Sequence, residues 1–254
     1  LSYISLTGDR KHDFPQSFGP YSPYWGVYRY QADYFARLSL ALSSGIQKND
    51  ILVIEPTTTA WMFYNPLTND FTQMNEVKEK FEGFLEQLET FQVEYDLGSE
   101  NIIKDHGKIQ ENRFEVNKAD YKLVILPPGT ENLDNATYNL LAQFVANGGK
   151  VWQVGSDPSF VDGNKRNYDD LQRFETWKVK NQLNRDLYME LAQNEYINFK
   201  SPDSIDGEVF HQRRFFEDGQ LLFLTNFDKY DNSVVNLTMM GKSVIELDLM
   251  SGKT

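Results

Sequence analysis

The stretch KLVILPPGTENLDNATYNLLAQFVANGGKVWQVG, residues 122 to 155, decides the fold class. It opens on an apolar run, Leu123 to Leu126, that is too short for a helix and reads as a strand buried on both faces. Pro127 and Pro128 stop that strand, because proline has no N–H to give a sheet ladder. Leu133, Tyr138, Leu141, Phe144 and Val145 then supply the apolar positions of a helix, with Asp134 placed as its N-cap. Gly148 and Gly149 end it, since glycine adopts the left-handed C′ conformation at least cost. The run from Lys150 to Gly155 reads as the returning strand. Strand, helix and strand in this order make a parallel unit with a right-handed crossover.

Working outward, Ile51 to Ile54 is a second buried run, bounded by Asp50 and Pro56. Val77, Phe81, Phe84, Leu85, Leu88 and Phe91 fall on one stripe of an amphipathic helix. Strands are expected at 93 to 97 and 113 to 116. Upstream, Tyr30, Tyr34, Leu38, Ala41 and Leu42 predict a helix over about residues 30 to 44 with one buried face and Gly45 at C′. Downstream, residues 167 to 193 read as helical. From Glu208 onward, breaks at EDGQ, DKYDN and MMGK divide four short runs that read as hairpins. The fold class is therefore α/β, an open parallel sheet followed by a small antiparallel β unit.

The chain has 254 residues, with 25 Lys and Arg against 37 Asp and Glu, a formal charge of −12. That balance argues against partners such as nucleic acid or anionic membrane, which need a basic face. There is no cysteine, so disulfides, thiolate nucleophiles and thiolate metal sites are excluded. His12, His106 and His211 form no local metal-ligand pair, and no metal site is assigned. Gly129, Gly148, Gly149 and Gly155 do not make a dinucleotide fingerprint, no P-loop is present, and no cofactor is assigned. No stretch approaches the ~18 apolar residues of a membrane span, and the first residues lack the layout of a signal peptide. The chain starts without methionine and stops at the turn-like MSGKT, which gives the expectation of a piece excised from a larger protein.

Two stretches carry a resemblance. Residues 123 to 155, and about 50 to 160 more broadly, resemble the class I glutamine-amidotransferase-like domain attached to the barrels of many glycoside hydrolases, including family 42 β-galactosidases. The opening RKHDFP, SPYW, DYFARLSLALSSG and ILVIEPTTTAW are similar to the segment joining barrel and accessory domain in proteins like family 106 α-L-rhamnosidases. The run Asp218 to Asn226 resembles the β unit that follows in the same proteins. The resemblance implies a flavodoxin-like sheet with helices on both faces. It also implies a barrel-exit loop and helix over 1–46, the α/β domain over 47–166, a helical connection over 167–206 and a partial β domain over 207–254.

Departures from those patterns define the expected function. An amidotransferase needs a Cys, activated by His, on the turn after the central strand, and PPGTEN has neither. A glycosidase needs two carboxyl groups about 5 to 10 Å apart, and in the resembled families both sit on the barrel. No catalytic residue is assigned to this chain, and the expectation is an accessory portion of a bacterial glycoside hydrolase, inactive alone. A free-standing carbohydrate-binding or small-molecule-binding α/β module is the alternative.

Several residues are candidates for substrate binding. Tyr24 and Trp25, with Tyr21 and Tyr28, have the chemistry of a sugar-stacking wall, or of rings packed on a neighbouring domain. His12 and Asp13 are candidate polar contacts, or a local loop pair. Glu55, Trp61, Tyr64 and Glu131 fall after strands, at the edge where open α/β sheets place ligands; Asn226, Asp228, Asp231 and Asn232 have oxygen ligands of the kind calcium takes, but such a cluster is usually a solvated turn and is read as one. Expected partners are the catalytic barrel of the same polypeptide, an oligosaccharide, and a second copy in a homo-oligomer. A periplasmic or extracellular location is favoured.

Overall fold

Five parallel strands organise the larger part of the chain in this computed structural model, which describes residues 19, 20, 22–194, 196–200 and 209–254. Two units are distinguished, one formed by Gln47–His211 with Leu224–Met240 and the other by the described part of Leu1–Ile46 with Gln212–Phe223 and Gly241–Thr254.

In the first unit the sheet contains β1 (Ile51–Ile54), β2 (Asp96–Gly98), β6 (Leu123–Leu126), β8 (Lys150–Val154) and β11 (Trp177–Lys180). Their lateral order is β2-β1-β6-β8-β11, all neighbours parallel. Counting only these five along the chain, that is the 2-1-3-4-5 order of flavodoxin-like folds. The switch point lies between β1 and β6.

Both central strands are buried throughout, because each faces a core on either side. Leu52, Ile54, Val124 and Leu126 join Phe114, Leu141 and Phe144 on one face. Ile51, Val53, Leu123, Ile125 and Trp152 meet Phe84, Leu88, Tyr188 and Leu191 on the other. Two apolar faces leave no room for alternation, hence the continuous runs in the sequence.

Helix α3 (Thr72–Thr90) buries Val77, Phe84 and Leu88 of the predicted stripe. Helix α5 (Asn135–Ala146) ends in a Schellman turn: Gly149 N–H donates to the Phe144 carbonyl and Gly148 N–H to that of Val145. Gly148 has φ 84°, and a Cβ on Gly149 would lie 2.2 Å from the Phe144 ring. The two glycines are thus required for different reasons, one for conformation and one for space.

Several expectations are corrected. The second strand begins at Asp96, because the chain first turns through Gln92 at φ 58°. Residues 113 to 116 form β4 (Arg113–Val116), but in a separate antiparallel sheet with β3 (Gly107–Gln110) and β5 (Ala119–Tyr121). The stretch from 167 to 193 is not one helix. It contains α6 (Asp169–Gln172), the edge strand β11 and α7 (Arg185–Leu191), whose N-cap Asn184 accepts from Leu187 N–H. Lysines flanking the exposed Val179 suit a sheet edge that must not pair with another chain.

Of the four C-terminal runs, β13 (Val209–Phe215) and β14 (Gln220–Asn226) form a two-stranded sheet. The third, β15 (Leu237–Met239), pairs instead with β12 (Ile197–Phe199), and the last run forms no strand.

In the second unit, α1 (Tyr28–Ser43) has no buried residue, against the expectation of a buried face. Its predicted stripe is half-buried at Tyr34, Leu38, Ala41 and Leu42, whereas Tyr30 is exposed. The Arg214 guanidinium donates to the carbonyls of Ser43, Ser44 and Gly45, satisfying the open end of the helix.

Candidate functional site

At the C-terminal edge of the sheet, where the switch point would open a ligand crevice, the chain runs from β1 directly into α2 (Thr57–Met62). Thr59 is fully buried, and its Oγ1 accepts from the backbone N–H groups of Glu131 (3.0 Å) and Asn132 (2.9 Å). Beside it, the Thr58 hydroxyl donates to Glu100 Oε1 at 2.6 Å. Glu100 Oε2 accepts from the Asp134 N–H at 2.7 Å, and Asn132 Oδ1 accepts from Gly163 N–H. These bonds tie α2 to the loop after β6.

Burial pushes the Glu100 carboxyl above the ordinary glutamate range, and the bonds from Thr58 and Asp134 only partly oppose it. Asp134 is raised as well, by burial and then by the charge of Asp162. Asp134 occupies the N-cap of α5, yet its side chain makes no capping bond.

Among the sequence candidates at this edge, Glu55 and Glu131 are half-buried and Trp61 and Tyr64 are exposed. Tyr64 stacks on Phe71, and the Glu131 carbonyl accepts from Ser159 and Phe160 N–H. Among the described residues no hydrogen bond or ring contact joins the side chains of these four to one another. In the second unit Tyr24 and Trp25 are exposed, and Trp25 stacks on Tyr28 with ring centres 5.9 Å apart. His12, Asp13 and Tyr21 lie outside the described residues.

The turn after β6 carries Gly129 at φ 89°, and the Thr130 hydroxyl donates to the Pro127 carbonyl. It offers no thiol and no imidazole. Among the described residues no group of three or more His, Asp or Glu side chains is arranged to hold a metal ion, and no helix is long and apolar enough to cross a membrane.

A cavity of about 560 Å³ lies instead at the opposite, N-terminal edge of the sheet. Asp50, Lys122, Lys150 and Thr176 line it from the strand starts, and Trp152, Lys178 and Lys180 from one sheet face. The wall across from them comes from Glu190 to Asn194, at the end of α7, and from Ile197 and Phe199 of β12. Trp152 is nearly covered and serves as the floor, with Lys180 Nζ 5.4 Å from its ring centre.

One end of the cavity is held by a polar cluster. Glu94 Oε2 accepts from Asn194 Nδ2 (2.8 Å), and its Oε1 lies 3.4 Å from His211 Nε2. His211 Nδ1 bonds Gln92 Oε1, while Gln92 Nε2 donates to the carbonyls of Val209 and Glu89. Asp50 pairs with Lys122 at 2.7 Å. Sequence reasoning missed this cavity, because its residues come from six separated segments and the strand-end rule points to the other edge.

The fold and site together define a flavodoxin-like α/β domain in which hydrogen bonds of Thr58, Thr59 and Glu100 cross the switch-point edge. No protein-family model and no curated protein matches the chain. Among solved structures it is similar to a rhamnosidase from Novosphingobium sp. PP1Y, with 17% sequence identity and a TM-score of 0.53 over 84% of this chain. The match takes in 20% of the length of that rhamnosidase. The likeness is one of fold.

Proposed function

We propose that this chain is a non-catalytic accessory portion of a bacterial carbohydrate-degrading glycoside hydrolase. The observation that carries the reading is the structural likeness, which covers most of this chain and only a fifth of the rhamnosidase. The resemblance of the sequence to the amidotransferase-like segments of α-L-rhamnosidase-like and β-galactosidase-like proteins supports it. In this reading residues 1–46 lead from a catalytic barrel, 47–166 form the accessory domain, 167–206 connect, and 207–254 begin a β domain.

The surface of α1 supports the same reading. Val27, Tyr30, Phe35 and Leu40 are exposed, following the exposed Tyr24 and Trp25. These side chains offer apolar area for a partner to bury. The barrel of the same polypeptide is the proposed partner for it. An oligosaccharide at the rim, through Tyr24, Trp25, His12 or Asp13, and a second copy of the chain belong to the same proposal.

The test is hydrogen exchange of α1 amides in this chain and in a longer protein that contains it with its barrel. Slower exchange across residues 28 to 43 in the longer protein is expected, and equal exchange in both would overturn the proposal. The alternative, a free-standing carbohydrate-binding or small-molecule-binding module, is favoured by one observation, the cavity at the N-terminal edge of the sheet.

A further inference from the structure

The cavity at the strand starts has a lining with a chemical bias. Four lysines, Lys122, Lys150, Lys178 and Lys180, face four carboxylates, Asp50, Glu94, Glu175 and Glu190. The balance is local, since the whole chain carries a formal charge of −12. Two of the carboxylates are engaged within the protein, Asp50 by Lys122 and Glu94 by Asn194 and His211. Among the described residues Lys150, Lys178, Glu175 and Glu190 make no ion pair, so donors and acceptors of both signs remain available around one space.

An anion would meet Glu175 and Glu190 as well as the lysines, and a cation would meet the lysines as well as the acids. A neutral molecule with many hydroxyl groups can use both, because each hydroxyl donates to a carboxylate and accepts from an ammonium. Trp152, Leu123, Ile197 and Phe199 add an apolar floor and side for C–H surfaces. The volume, about 560 Å³, lies within the range of pockets that hold small ligands.

We infer that this cavity binds a neutral saccharide of one or two pyranose rings. The site is separate from the switch-point edge, where Thr58 and Thr59 are buried and hydrogen-bonded. The inference does not rest on the accessory reading: a chain with no glycosidase partner would bind equally, and an empty result would leave that reading standing.

Isothermal titration calorimetry of this chain at pH 7 tests it, with methyl pyranosides and neutral disaccharides as probes and glucuronate and inorganic phosphate as anionic comparisons. Saturable binding of at least one neutral probe is expected, with a Kd on the order of 1 mM and weaker or no binding of the anions. The double variant Lys178→Met, Glu190→Gln should weaken it at least fivefold, while Lys78→Met on the outer surface of α3 leaves it unchanged. Three results would each overturn the inference: no saturation by any neutral probe, tighter binding of glucuronate or phosphate, or unchanged affinity in the double variant with its thermal transition intact.

Discussion

Replacing Thr59 by valine keeps the shape of a fully buried side chain and removes the one oxygen that holds two backbone N–H groups, those of Glu131 and Asn132. Asn132 is itself buried, so its N–H has no route to water. Each buried donor left without an acceptor costs about 1–3 kcal/mol. The extra methyl surface offsets less than about 1 kcal/mol of that. The expected loss is about 2–4 kcal/mol, which lowers Tm by about 5 to 10 °C for a unit of this size. Urea denaturation followed by far-UV circular dichroism measures it, with Thr57→Val at the first turn of α2 as the control. A loss under about 0.5 kcal/mol, within the ordinary range of surface substitutions, would refute the argument that Thr59 holds the loop after β6 to α2.

Three further predictions follow from the packing. Glu100→Gln should be tolerated, with its carbonyl accepting from Asp134 N–H and its amide donating to Thr58, whose hydroxyl turns toward the Asn132 carbonyl 3.3 Å away. Burial raises the folded-state pKa of Glu100, so its contribution is complete below the unfolded value and is lost as pH rises through the folded one. The stability of the parent chain relative to the glutamine variant should therefore fall as pH rises above the ordinary glutamate value, about 4.3, as read by paired urea titrations; a difference that does not change with pH would contradict this. Gly149→Ala should cost about 3 kcal/mol, because its Cβ would meet the buried Phe144 ring, whereas Gly148→Ala meets open space and costs about 1–2 kcal/mol of left-handed strain; equal melting temperatures would contradict the distinction. Arg214→Ala should free three carbonyls at the end of α1 and destabilise that end by about 1–2 kcal/mol, seen as faster amide exchange over residues 40 to 43.

The central layer of the fold was legible because it is local. Ile51 to Ile54, Leu123 to Leu126 and Lys150 to Val154 are short apolar runs between turn residues, and α5 announces both its register and its stop. Strand β11 was hidden, since a lysine-flanked edge strand shares its composition with the exposed face of a helix. The β3-β4-β5 excursion was hidden for another reason: the β3-β4 pairing depends on a turn at Glu111, a residue type that seldom takes the positive φ found there, although the β4-β5 turn has Asn117, which takes it readily.

The site was less legible than the fold. Glu55 directly follows β1 and Glu131 follows the turn after β6, whereas Trp61 belongs to α2 and Tyr64 lies beyond it. What the sequence does not reveal is that Thr58 and Thr59 would turn inward, or that Glu100, in the polar run SEN, would be buried beneath them. Burial of a carboxyl depends on donors supplied from 34 and 42 residues away. The cavity at the opposite edge depends likewise on the distant pairing of β12 with β15.

The measurement that bears most directly on the proposed role is hydrolysis of a panel of nitrophenyl glycosides, α-L-rhamnoside and β-galactoside included, by this chain and by a longer protein containing it. Turnover by the longer protein alone is the predicted result, and it would identify the sugar. Turnover by this chain on its own would contradict the accessory role and turn attention to its own carboxylates.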